Sequence, residues 1–136
     1  MKIVKTGLIA VFLLHVYTFS NIVHARELSS EEIQAIFAGK TSLCIKSKDF
    51  STCDTFMGTD GKVRRLTHKD GKLKLGAWHA NVDNKLCIKW QGKKCDICFL
   101  VIENSNGTHR LVRRNKTKSV ITGFITGDTT AESMRK

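Results

Sequence analysis

A chain of 136 residues with 23 Lys and Arg against 12 Asp and Glu carries a formal net charge of +11, and it contains five cysteines and no proline. That length leaves room for one modest domain and no more. The charge concerns partners and solubility, not fold.

The chain opens on a targeting pattern. Lys2 and Lys5 precede an apolar run, Gly7 to Leu14, that is too short to span a bilayer, and Val23-His24-Ala25 closes it with a small residue. This predicts an export signal over 1–25, cleaved after Ala25, and hence a periplasmic or secreted protein with no transmembrane segment in the mature chain. No cysteine just after the apolar core offers a lipid attachment point. Cleavage leaves 111 of the 136 residues, with two of the 23 basic residues removed and none of the 12 acids, for a net charge of +9. Five cysteines in an exported chain point to disulfides with one cysteine left over.

Leu28 to Gly39 reads as one short helix. Ser29 and Glu32 stand at capping-box spacing, Leu28 and Ile33 at the positions of a hydrophobic staple, and Gly39 where a left-handed residue would stop the helix. Ile33, Ile36 and Phe37 form an apolar stripe that would plug against the rest of the domain.

Beyond Gly39 the period becomes two. Thr41 to Lys46, Phe50 to Met57, Lys62 to His68 and Lys72 to His79 read as strands, parted by polar or Gly-containing turns. A central hairpin follows, then Phe99 to Glu103, His109 to Arg114 and Ser119 to Ile125. Short strands at this regular spacing predict an all-β barrel or sandwich of about seven or eight strands, forming a single domain over 26–126. Residues 127–136, small and polar, read as a flexible tail.

The stretch from Gly76 to Phe99, which includes the central hairpin, holds both tryptophans and three of the five cysteines. A two-residue turn at Gly92-Lys93 would set Cys87 opposite Cys98 and Ile88 opposite Ile97. Leu86, Ile88, Trp90, Cys95, Ile97, Phe99 and Val101 then share a core face, and Cys87, Lys89, Asp96 and Cys98 share the other. Cys87–Cys98 is the bridge this register favours, with Cys87–Cys95 surviving if the turn is longer. Cys44–Cys53 would clamp the first hairpin, leaving Cys95 buried like a small hydrophobe.

The succession of Leu28-Ser29-x-x-Glu32, a terminal Gly39, an Asp-Gly turn, Gly76-x-Trp78, Leu86-Cys87-Ile88-x-Trp90 and Cys98-Phe99 resembles a family of small exported proteobacterial proteins of unknown function. The resemblance covers about Leu28 to Val101. It implies a mainly β, lipocalin-like antiparallel barrel with one short N-terminal helix, and gives Trp78, Cys87, Trp90 and Cys98 structural roles. Cys44, Cys53 and Cys95 lie outside the pattern, which supplies no catalytic residues.

Candidate chemistry is sparse. Cys95-x-x-Cys98 has redox or metal spacing, but strand formers follow it where a thioredoxin-type site needs a helix. His68, His79 and His109 stand in no recognised catalytic spacing. No catalytic residue, metal or cofactor is expected. The basic residues are more suggestive: Arg110, Arg113, Arg114, Lys116 and Lys118 crowd one late hairpin, and Arg64 and Arg65 an earlier strand. They form a candidate anion-binding face for anionic lipid, lipopolysaccharide, an acidic glycan or an acidic protein. Nucleic acid is disfavoured by compartment and by the lack of interleaved aromatics. Trp78 and Trp90 are candidate pocket-lining residues. The leading expectation is a non-enzymatic binding domain with a basic face. The alternatives are a small-molecule carrier using the barrel interior and a thiol-redox factor using Cys95 and Cys98.

Overall fold

The computed structural model describes residues 25–131. The expected signal segment before Ala25 and residues 132–136 of the expected tail lie outside the described residues. The elements are β1 (Arg26–Glu27), α1 (Ser30–Phe37), β2 (Lys40–Lys46), β3 (Thr52–Met57), β4 (Lys62–Thr67), β5 (Leu73–Ala80), β6 (Lys85–Trp90), β7 (Ile97–Glu103), β8 (His109–Arg113) and β9 (Lys116–Thr126). From β2 to β9 each strand pairs antiparallel with the next, and β9 returns to pair with β2. The result is a closed, eight-stranded barrel with no open edge among these strands. The short β1 adds to β7 beyond the end of β6.

The helix forms as its sequence implies. Ser29 caps it, accepting from the Glu32 amide while the Glu32 carboxylate accepts from the Ser29 amide. Gly39 follows the cap at φ +75° and donates its N–H to Met57 O at 2.7 Å. Leu28, Ile33 and Phe37 are buried, so α1 closes one end of the barrel. Arg26 binds Glu32 at 2.6 Å and Glu103 at 2.8 Å, tying β1 to the helix and to β7.

Strand alternation sorts the walls. Met57, Val63, Trp78, Leu86, Ile88, Val101 and Ile121 are buried with the helix residues in one core. Trp78 donates its indole N–H to Gly58 O at 2.9 Å, which satisfies its one polar atom. Gly76 lies so close to the Lys89 carbonyl that a Cβ there would strike backbone, accounting for glycine before Trp78.

His109 sits at this closed end, edge-on to Phe124 at 5.6 Å, and Phe124 meets Phe37 at 5.3 Å. Burial holds the imidazole pKa below its ordinary 6.5, opposed by Glu103 and assisted by Arg26. With the folded pKa below the unfolded one, this stabilisation is present above about 6.5 and is lost as pH falls through the depressed folded value. His109→Phe should therefore melt with a flatter pH profile than wild type between pH 7.5 and pH 5, measured by calorimetry. Parallel profiles would contradict the assignment.

Two features depart from the sequence reading. Residues 127–131 are tied to the barrel. Thr41 donates its hydroxyl to Gly127 O at 2.6 Å, the Thr129 amide donates back to Thr41 Oγ1 at 3.1 Å, and Thr130 is fully buried. A polar segment docks here because its hydroxyls and amides meet partners on β2 and β3, so apolar content alone was a poor guide to order. Phe50, placed at a strand start by the sequence, lies in the turn between β2 and β3.

Candidate functional site

The end of the barrel opposite α1 is its mouth. Inward positions on neighbouring strands bring Lys46 of β2, Arg65 of β4 and Lys74 of β5 together there, with Arg65 directly paired to Lys74 across the ladder. Facing them are Trp90, Ile97, Phe99 and Leu111 from β6, β7 and β8. A cavity of about 490 Å³ runs between Arg65, Lys74, Trp90 and Phe99. A smaller chamber of about 140 Å³, reached past the shared Arg65 and Phe99, is bounded by Lys46, Cys53 and Leu111.

Arg65 is central. Its Nε–H donates to Thr55 Oγ1 at 3.0 Å, and its guanidinium carbon lies 4.9 Å from the centroid of the Trp90 ring. Lys74 Nζ approaches the same ring at 5.7 Å. Lys46 Nζ reaches Thr67 Oγ1 at 3.5 Å. None of the ion pairs among the described residues places a carboxylate on Arg65, Lys46 or Lys74.

The electrostatics follow from this grouping. Part of Arg65 remains reachable from the mouth, yet the surrounding protein desolvates its guanidinium and pulls its pKa down to about 10. Lys46 is lowered as well, first by burial and then by the like charges of Arg65 and Lys74; Asp49 and Asp70 at the rim oppose this. Three cations thus share one partly desolvated space beside an aromatic wall. Such an arrangement supplies fixed N–H donors and an apolar flank, which suits an anionic head joined to an apolar body.

The other expected site residues are dispersed. Arg64 faces the outer wall, 3.6 Å from Asp128. Arg110 donates to Asn104 at 2.9 Å and to Thr117 at 3.4 Å. Arg113 and Arg114 border an outer groove with Lys85, Asp96 and Cys98, and Lys116 is exposed next to them. Lys118 borders the small chamber. The late hairpin therefore does not present its cations as one face, because strand alternation and the β-bulge between Leu111 and Val112 turn them in different directions. Of the two tryptophans, Trp90 lines the cavity and Trp78 is core.

Both expected bridges are present, Cys44–Cys53 and Cys87–Cys98. Cys95 departs from expectation: it is free and exposed. The hairpin keeps the anticipated register, Cys87 opposite Cys98 and Ile88 opposite Ile97, but pairing ends there. The turn is centred on Gln91 and Gly92, closed by Lys93 N–H to Trp90 O at 3.0 Å, with Gly92 at φ +83°. Residues 93–96 consequently leave the ladder, and Cys95 comes to the cavity rim. Since Cys98 is bridged to Cys87, Cys95 and Cys98 are not a dithiol pair here.

His68 lies between Thr52, whose Oγ1 is 2.7 Å from Nδ1, and Asp54, whose Oδ1 is 3.1 Å from Nε2. This trio spans β3 and the first residue of the turn after β4, on the outer wall, with His68 exposed. It reads as a surface clamp. No group of three or more His, Cys, Asp or Glu residues that could hold a metal occurs among the described residues.

Lys46, Lys74, Lys93 and Lys94 went unnoticed in the sequence. A usable signal existed for Lys74: a buried Trp78 carries Gly76 and Lys74 to the same face by the two-residue period, and leaves Leu75 outside, where it is 44% exposed.

No protein-family model, curated protein or solved structure matches this chain.

Proposed function

We propose that this is an exported, non-enzymatic binding protein, a lipocalin-like barrel that holds a small amphiphilic anion in its mouth. The observation that carries the reading is the Arg65 guanidinium, turned into the barrel, desolvated and stacked near Trp90, with Lys46 and Lys74 beside it and no carboxylate ion-paired to any of the three. Desolvating an uncompensated cation opposes folding, so a barrel that retains one is organised for an anion from outside. The apolar flank of Trp90, Ile97 and Phe99 favours a carboxylate or phosphate with an aliphatic or aromatic body.

Two disulfides point to an oxidising, non-cytoplasmic environment, and no helix among the described residues is long and apolar enough to cross a membrane. A cleaved leader and delivery to the periplasm or the exterior fit that setting. The likeness to small exported barrels rests on the motif residues Gly76, Trp78, Cys87, Trp90 and Cys98.

The test compares laurate with dodecanol, which share a chain and differ in charge, by displacement of a fluorescent anionic probe. Laurate should compete at least about tenfold better, because only its head can bond to Arg65. Its affinity should fall as pH rises through the depressed pKa of Lys46, which loses its charge on deprotonation. Equal competition by acid and alcohol would sink the reading.

A further inference from the structure

Four turns surround the barrel mouth, spanning 47–51, 68–72, 91–96 and 114–115. They carry the exposed cations Lys48, Lys69, Lys72, Lys93, Lys94 and Arg114, against Asp49, Asp70 and Asp96. The closed end leans the other way, with Glu27, Glu31, Asp60 and Asp83 exposed around the helix and the turns beside it, against exposed Arg26 and Lys62. Charge is therefore segregated along the barrel axis, with the basic pole at the mouth.

Phe50 stands on this basic pole, 80% exposed. Its backbone is left-handed at φ +58°, a conformation that glycine or asparagine adopts far more readily than a bulky side chain. The turn that presents it is well braced. Phe50 N–H donates to Lys46 O at 2.9 Å, and the amide and hydroxyl of Ser51 donate to Asp49 Oδ1 at 3.0 and 2.6 Å. Asp49 in turn meets Lys69 of the adjacent turn at 3.7 Å. A phenyl ring here gains nothing from the fold and occupies a backbone position that disfavours it. Val82, 96% exposed, differs on both counts: it lies at the closed end, beside Asp83, and has no positive φ.

We propose that the mouth end docks on an anionic lipid bilayer, with Phe50 entering the boundary between headgroups and acyl chains while the lysines of the neighbouring turns lie on the headgroups. Charge complementarity selects the anionic surface. The exposed ring selects a bilayer over a soluble polyanion, which could use the lysines but offers no apolar layer. Docking in this pose would set the cavity opening against the lipid. Phe50 lies outside the cavity lining, whereas Lys93 and Lys94 border the cavity, so Phe50 is the residue that separates bilayer docking from ligand binding on Arg65.

The experiment is co-sedimentation of the chain as recovered after export, its N terminus read by mass spectrometry. The vesicles are phosphatidylcholine alone or phosphatidylcholine with 30% phosphatidylglycerol. Binding should require the anionic lipid and weaken with salt. Phe50→Asn should lose about tenfold in vesicle affinity while melting no lower than wild type, since asparagine tolerates the left-handed backbone. Lys93→Gln with Lys94→Gln should lose about 25-fold at low salt, each rim charge accounting for about fivefold. Phe50→Trp should give blue-shifted emission on anionic vesicles and be quenched by brominated lipid. Equal binding to both vesicle types, or unchanged affinity in Phe50→Asn, would overturn the proposal. So would binding to heparin that survives Phe50→Asn in a chain that ignores vesicles.

Discussion

Replacing Arg65 with methionine should weaken binding of an anionic amphiphile and raise the melting temperature of the ligand-free barrel. Both effects have one cause. In the ligand-free protein the guanidinium is desolvated and accompanied by two like charges, Lys46 and Lys74, the first of which is itself pushed down by burial and then by this company. Methionine is long, apolar and flexible enough to fill the same space against Trp90. Removing a desolvated cation in favour of a well-packed apolar side chain stabilises by about 1–2 kcal/mol. In a domain of this size that corresponds to a rise of roughly 4–16 °C. Thr55 loses the Arg65 donor, but its hydroxyl lies 3.7 Å from Cys44 Sγ and keeps a neighbour there.

Binding moves the other way. Loss of the charge-assisted hydrogen bonds costs about 2 kcal/mol, or about 30-fold in Kd, with more lost if Lys46 and Lys74 reorganise. Arg65→Lys keeps the charge and gives up the planar fork, so it should fall between the two in affinity. Thermal melts with and without laurate read both quantities on one sample. A methionine variant that melts lower and still binds laurate would remove the site from consideration. Improved stability with lost binding is the signature of a residue retained for function.

The barrel itself was legible because its signals are local and repeated. The capping box at Ser29 and Glu32, the Gly-containing turns and the alternation along each strand all agree with the same closed sheet, and the register pairing Cys87 with Cys98 followed from opposing side chains in a single hairpin. The site was less legible, for reasons that lie in the same alternation. Leu73 and Leu75 look like core beside Lys72 and Lys74, yet the parity set by Trp78 turns Lys74 inward and leaves Leu75 on the outer wall. A binding site is where polar residues take core positions, so a rule that assigns bulk to the inside fails there. Crowding of Arg110, Arg113 and Arg114 in sequence likewise does not make one face: Arg110 is held by Asn104 and Thr117, while Arg113 and Arg114 border a separate outer groove. The cations that do gather come from β2, β4 and β5, and only the closed ladder makes them neighbours. Cys95 was misplaced by a single residue of turn geometry: Gly92 serves as the second central residue of its turn, not the first.

The bridges should dominate stability. Cys44 and Cys53 are separated by 9 positions and Cys87 and Cys98 by 11, and each pair is directly opposed in its ladder. Closing loops of this length removes enough freedom from the unfolded chain to stabilise by roughly 2.5–3 kcal/mol per bridge. Against a typical total of about 5–15 kcal/mol, losing both consumes much of the margin. Cys87→Ser with Cys98→Ser should lower the melting temperature by roughly 10–20 °C. Cys44→Ser with Cys53→Ser should cost more. Those sulfurs are buried on the inner wall next to Thr55, so two hydroxyls would be added where little polar company is free. The four-serine variant should fail to give a cooperative melt at 37 °C. Cys95→Ser, by contrast, should leave the melt unchanged, since the side chain is exposed and unbridged. Thiol titration adds a second readout: one reactive thiol in the native protein, still one after denaturation, and none in Cys95→Ser. Two thiols appearing on denaturation, or single-bridge variants that melt within a few degrees of wild type, would contradict this account of what holds the barrel closed.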